Sequence, residues 1–205
     1  AIKDYFSSEI GFFCGGPPCQ GFSSAGKKLL DDPRNFLFKN FLDIVGQCNP
    51  CWVIMENVPD LLRNFAVFQD IKNLFSNLGY EVQYKLINSA TLGVPQKRTR
   101  VFFVAKRSDI KTSQEFNLDS GLKPIFVEEE DLFNNPIYIT FDEATSDLPY
   151  LESGQGSDEI NYSNDPKSKY QEYLRGYISL SKFFDSKSVD ISIHTENINP
   201  KSECV

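Results

Sequence analysis

IGFFCGGPPCQGFS, residues 10–23, decides how the chain is read. Residues 10–14, IGFFC, form a short apolar run that stops at Gly15. It reads as a buried strand. The nine residues that follow hold glycines, two prolines, a cysteine and a serine. Each proline fixes φ and removes an amide donor. Each glycine widens φ/ψ space and lets other groups approach the backbone. The segment is therefore a rigid, bent loop that holds Cys19 in a set place at a strand end. A tight turn around a small buried thiol and a nucleophile on a loop both fit it, so the rest of the chain must separate them.

Outward from that loop the pattern alternates. Phe38, Phe41, Leu42 and Val45 recur at helical spacing within residues 36–47, and Pro50 stops that helix. WVIME, 52–56, is a second buried strand. Val67, Ile71, Leu74, Phe75 and Leu78 line a helix over 66–78, with Gly79 as its C-cap. YEVQYKLI, 80–87, and VFFVA, 101–105, are two more strands. The order β-α-β-α-β-β predicts an α/β, Rossmann-like sheet, mainly parallel and ending in a β-hairpin. Beyond residue 108 the pattern weakens. Residues 111–136 read as a long loop, Thr140 and Glu143 as a capping box, and 170–184 as a helix interrupted near Gly176. The expected division is 1–108 as a partial catalytic domain and 109–205 as a variable acidic segment leading to an incomplete recognition region.

The 205 residues are 40% hydrophobic and 14% aromatic, which argues for a folded protein. No apolar run reaches the roughly 18 residues of a membrane helix. The N-terminus lacks the order of a signal peptide and an initiator Met, so the chain is read as starting mid-protein. Five cysteines at irregular spacing suit a reducing compartment better than a disulfide framework, which leaves the Asn161 sequon without meaning. The net charge of −7 is uneven: residues 1–110 carry 13 Lys and Arg against 10 Asp and Glu, while residues 111–159 carry 2 against 12. Basic residues gather at Lys27, Lys28 and Arg34 and from Lys97 to Arg107, as phosphate binding requires, although such clusters are more often solvated faces.

Ligands of an open α/β sheet sit beyond the carboxyl ends of its strands. The first strand runs into Cys19 and the second into MENVP, which leaves Glu56 and Asn57 at its tip. A third loop, GVPQKRTR, brings Lys97, Arg98 and Arg100 just before the last strand. A thiol, a carboxylate and a guanidinium converge at one sheet edge. Two other readings rest on less. A hydrolase would depend on His194, the one histidine, 175 positions from Cys19. A zinc site would join the Cys48–Cys51 CxxC to Cys14 and Cys19, whose spacing is wide for a zinc knuckle, and Cys14 reads as a small hydrophobe in its strand. No metal is expected.

GGPPCQGFS, then MENVPD, then GVPQKRTRVFFVA resemble three successive signatures of the DNA (cytosine-5)-methyltransferases, and DDPRNFLFKNFLDIV resembles the linking segment. The likeness covers about residues 10–106. It implies transfer of a methyl group from S-adenosylmethionine to carbon 5 of a cytosine, with Cys19, Glu56 and Arg100 catalytic. A thiolate added to carbon 6 makes carbon 5 nucleophilic, so Cys19 needs a lowered pKa or deprotonation on attack. By the same resemblance Glu56 serves ring nitrogen 3, Arg100 the ring carbonyl oxygen and the Pro18 carbonyl the exocyclic amine, while Asn57 and Arg98 brace the substrate. The base must leave the duplex, and Gln20, Ser23 and Lys97 become DNA contacts. Leu37 is the one position carried over toward the cofactor. The family's glycine-rich cofactor signature is absent, and SGQGS, 153–157, lacks the strand and helix it would need. FDEATSDLPYLESGQGSDE and IHTENINP resemble stretches leading to the target-recognition region. Methylation of tRNA cytosine and an inactive DNA-binding remnant remain the alternatives. The expected partner is double-stranded DNA with no membrane, in a monomer or with a complementing chain. The compartment would be cytoplasmic in a bacterium and nuclear in a eukaryote.

Overall fold

The computed structural model describes residues 10–18, 36–112, 115–121, 127–130, 136–157 and 159–185. The chain divides into two compact units, Ala1–Ile87 with Thr99–Lys123 and Glu196–Val205, and Asn88–Arg98 with Pro124–Thr195.

The first unit is an α/β unit. β1 (Phe12–Gly15) leads to α1 (Leu37–Cys48), β2 (Trp52–Asn57), a 3₁₀ turn (Pro59–Arg63), α2 (Phe65–Asn77), β3 (Tyr80–Asn88) and β4 (Thr99–Arg107). The strands pair in the order β1-β2-β4-β3. β1 runs parallel to β2, with Phe12 opposite Trp52 and Gly15 opposite Met55. β2 runs antiparallel to β4, with Glu56 opposite Phe102. The alternating elements are those the sequence predicts, and the fold class holds. The sheet is mixed rather than mainly parallel. β4 follows β3 without a crossover helix, so it returns as a hairpin and enters beside β2 in the opposite sense.

The side-chain period of two sorts the residues of β2. Val53, Met55 and Asn57 are buried, whereas Trp52, Ile54 and Glu56 are half-buried. Val53 and Met55 join Val101, Phe103 and Ala105 of β4. This surface packs on Phe38, Leu42 and Val45 of α1 and on Val67, Ile71 and Phe75 of α2. Both helices thus spend their apolar stripes on one sheet face. Asn49 ends α1 in the left-handed region at φ 48, its N–H donating to Val45 O at 2.7 Å, and Pro50 follows. Asn is among the few residues that tolerate this conformation. Gly79 takes φ +81 after α2, as a C-terminal glycine does.

The second unit carries short elements. β5 (Val127–Glu130) pairs antiparallel with β6 (Pro136–Ile137), and α4 (Phe141–Thr145), α5 (Lys169–Leu174) and α6 (Leu180–Asp185) follow. The stretch read as a loop from 111 to 136 in fact contains β5 and the single-turn α3 (Leu118–Gly121). Elements this short show too few periods for a pattern to register. The Thr140–Glu143 capping box is present in both directions. The interrupted helix is two helices, with Gly176 at φ +72 between them. Ile139 and Phe183 form a small core with Tyr170, Tyr173 and Ile178. Arg175 donates to Asp147 from Nε at 2.9 Å, and its guanidinium lies 3.6 Å over the Tyr162 ring.

Candidate active site

Glu56 and Asn57 are adjacent at the end of β2, and the strand period sends them to opposite faces. Asn57 turns inward and is 4% exposed. Its Nδ2–H donates to Pro17 O at 3.0 Å, and its Oδ1 accepts from Val58 N at 2.9 Å. One amide therefore ties the loop leaving β1 to the turn leaving β2. Parallel register continues that tie. Gly15 pairs with Met55, so Gly16 comes level with Glu56. A Cβ on Gly16 would lie 3.0 Å from Glu56 Oε2, and one on Gly15 would lie 2.8 Å from the Phe41 ring. The two glycines admit the carboxylate on one side and an aromatic ring on the other.

Register also places the guanidinium. Glu56 faces Phe102, and Arg100 lies two positions along β4 on the same face. Such a diagonal neighbour is within reach of a long side chain. Arg100 Nε donates to Glu56 Oε1 at 2.8 Å, with the two side chains 23% and 35% exposed. Arg100 Nη1 donates to Thr99 O at 2.8 Å, which fixes the fork. Glu56 is thus held as an ion pair at the open end of the sheet, beside a glycine loop whose next residues are Pro18 and Cys19.

Pro18 is exposed at the end of the described part of that loop. Cys19, Gln20 and Ser23 lie outside the described residues, as does His194. Leu37 is half-buried in the first turn of α1. Lys97 and Arg98 are exposed and belong to the second unit, whereas Glu56, Asn57 and Arg100 belong to the first. Cys14, read as a buried hydrophobe, is exposed, because it falls on the outward-alternating face of an outer strand. Cys48 is a buried free thiol and Cys51 is disulfide-bonded. The irregular cysteine spacing is read as suiting a reducing compartment better than a disulfide framework, and Cys51 departs from that reading. Among the described residues no group of three or more His, Cys, Asp or Glu could hold a metal.

Sequence reasoning missed two bracing residues. Ser89 Oγ–H donates to Gln96 O at 2.7 Å, and Ser89 N–H donates to Arg98 O at 3.0 Å. One serine therefore grips the carbonyls on both sides of Lys97. Gly16 is the other: its neighbour Glu56 is distant in sequence, and only strand register reveals the contact.

A family model of C-5 cytosine-specific DNA methylases matches residues 1–197. The chain belongs to that family. Relatives include the Type II methyltransferase M.DdeI of Desulfomicrobium norvegicum, 39% identical over 173 residues, which are 82% of this chain and 39% of that protein. The Type II methyltransferase M.FnuDI of Fusobacterium nucleatum is 35% identical over 194 residues, 91% of this chain and 52% of that protein. A crystal structure described as a DNA modification methyltransferase encoded within a prophage (E. coli) superimposes with a TM-score of 0.59 at 26% identity. That match covers 91% of this chain and 52% of the other. The chain therefore spans about half or less of the length of these relatives. Among the described residues no helix is long and apolar enough to cross a membrane.

C-5 cytosine DNA methylases as a family use S-adenosylmethionine as methyl donor. The described residues do not by themselves fit that donor. Leu37 offers one half-buried apolar side chain, and the polar groups at the strand ends, Glu56 and Asn57, are already committed to Arg100 and Pro17.

Proposed function

We propose that the chain carries the cytosine-binding centre of a DNA (cytosine-5)-methyltransferase. Such an enzyme transfers a methyl group from S-adenosylmethionine to carbon 5 of a cytosine flipped out of double-stranded DNA. The observation that carries the proposal is the 2.8 Å pair between Glu56 and Arg100, set against Gly16 at the base of the loop that leads to Cys19. A carboxyl group and a guanidinium held side by side on one face of two paired strands match two neighbouring ring atoms, a nitrogen and a carbonyl oxygen.

In this reading the Cys19 thiolate donates its electron pair to carbon 6 and forms a carbon–sulfur bond. The ring's 5,6 π-electrons then become available at carbon 5. Glu56 holds the proton shared with ring nitrogen 3, where the displaced charge collects. Arg100 takes the carbonyl oxygen and the Pro18 carbonyl accepts from the exocyclic amine. Once carbon 5 has been methylated, loss of its proton returns electrons to the 5,6 bond and expels the thiolate. Asn57 keeps the nucleophile loop seated by holding Pro17 O. Arg98 braces the same motif, while Gln20, Ser23 and Lys97 contact the DNA. We assign residues 1–108 to the catalytic part and 109–205 to a variable segment leading toward target recognition.

Cys19→Ser tests the reading within the complete reading frame that carries this chain. A hydroxyl is far less ionised than a thiol near neutral pH, so methyl transfer to duplex DNA should vanish while DNA affinity stays close to that of the parent. Substantial methylation by the serine variant would refute the assignment.

A further inference from the structure

A cleft of about 360 Å³ lies within the second unit, between the 95–97 loop and residues 138–141. That volume falls at the lower end of the range for small-ligand sites. Its floor is apolar and closed, with Ala90 3% and Ile139 7% exposed. Its rim is of another kind. Gln96 and Lys97 are exposed on one side, and Phe141 stands 72% exposed on the other. Both rims are fixed. Ser89 bonds the carbonyls flanking Lys97, and Gln96 N–H donates to Val94 O at 2.7 Å. On the opposite side Thr140 and Glu143 lock the start of α4, with Glu143 Oε2 accepting from Thr140 N at 2.8 Å and from Oγ1 at 2.9 Å. That engages the Glu143 carboxylate within its own turn. The cleft's lining carries no acidic side chain among the described residues. A flat apolar ring, a carboxamide and an exposed ammonium around one preformed hollow are the parts that hold a single unstacked nucleotide. The ring stacks the base, the ammonium meets the phosphate, and the amide bonds an edge.

We infer that this cleft is a nucleotide-binding subsite, which takes one nucleotide of a DNA strand with its base on Phe141 and its phosphate at Lys97. The inference rests on the DNA-methylase reading for the identity of its ligand and extends it to Phe141 and Gln96.

The test is binding of the 205-residue chain to a fluorescent thymidine 12-mer, and to an abasic strand of equal length, by anisotropy across a salt series. Phe141→Ala should weaken thymidine binding by about 5- to 150-fold, from a stacking contribution of about 1–3 kcal/mol per base. It should leave abasic binding unchanged, and Phe141→Trp should restore the loss. Lys97→Ala should weaken both strands and lower the salt slope by about 0.7. No effect of Phe141→Ala, or equal losses on the two strands, would overturn the subsite. The two proposals fail separately. A Cys19 adduct on DNA with no Phe141 effect removes the cleft alone. A Phe141 effect without any Cys19 adduct supports the cleft and removes the methylation reading.

Discussion

Asn57→Ala removes a buried amide that ties the two strand-end loops together. Pro17 O loses its donor at 3.0 Å and Val58 N its acceptor at 2.9 Å. The Pro17 carbonyl is buried and cannot be rehydrated without opening the loop, which costs about 1–3 kcal/mol. Val58 is half-buried and its N–H can reach water, so its loss is nearer about 1 kcal/mol. The variant should therefore be about 2–4 kcal/mol less stable. Urea unfolding should show this as a lower midpoint with an unchanged slope. Asn57→Asp keeps an acceptor for Val58 N but presents no donor to Pro17 O, so it should be at least as destabilising. The loop it releases holds Cys19 two residues beyond Pro17. A displacement of about 1 Å at a reacting group can cost on the order of 100-fold in rate, so turnover should fall more steeply than DNA affinity. An alanine variant within about 0.5 kcal/mol of the parent, the range of an ordinary surface change, would refute the tether.

Three further outcomes follow from the same geometry. Gly16→Ala places a Cβ 3.0 Å from Glu56 Oε2, so the carboxylate must shift by a few tenths of an ångström; turnover should drop while the melting temperature barely moves, and an unchanged rate would show that Glu56 needs no exact placement. Arg100→Lys keeps the charge but loses the planar fork. Because the pair is partly exposed, stability should change by no more than about 1 kcal/mol while activity collapses, and a fully active lysine variant would remove the carbonyl-binding role. Burial pushes the Tyr80 phenol from 10.0 up to about 12, with its O–H donating to Pro50 O at 2.6 Å. The fold favours the protonated phenol. That contribution is intact below pH 10 and is lost as pH rises toward about 12, so alkaline unfolding should lose this phase in Tyr80→Phe; identical pH profiles would contradict it.

The legible parts were those with several turns of period or a dense motif. α1, α2 and the four strands show apolar spacing that tertiary packing then uses, and their ends lie within two residues of the expected ones. Glu56 and Arg100 were readable as motif residues, but their contact was not. It depends on Glu56 lying opposite Phe102, a register that no local pattern encodes. The contacts of Asn57, and Ser89 altogether, were obscure for a related reason: their partners are the carbonyls of Pro17, Gln96 and Arg98, and backbone acceptors leave no mark in a sequence. β5, β6 and α3 are two to four residues long, too short for periodicity to separate them from loop. The parallel bias failed because β4 arrives by hairpin, and antiparallel entry beside β2 leaves the same apolar run that a parallel strand would.

Covalent capture tests the central claim most directly. The complete reading frame carrying this chain would be incubated with S-adenosylmethionine and duplex DNA containing 5-fluorocytosine at the target position. Fluorine at carbon 5 cannot leave as a proton does, so the carbon–sulfur bond should persist after methyl transfer. Peptide mapping should then find the nucleotide on Cys19, and Cys19→Ser should give no adduct. An adduct mapped to Cys14, Cys48 or Cys51, or one that survives in Cys19→Ser, would contradict the account.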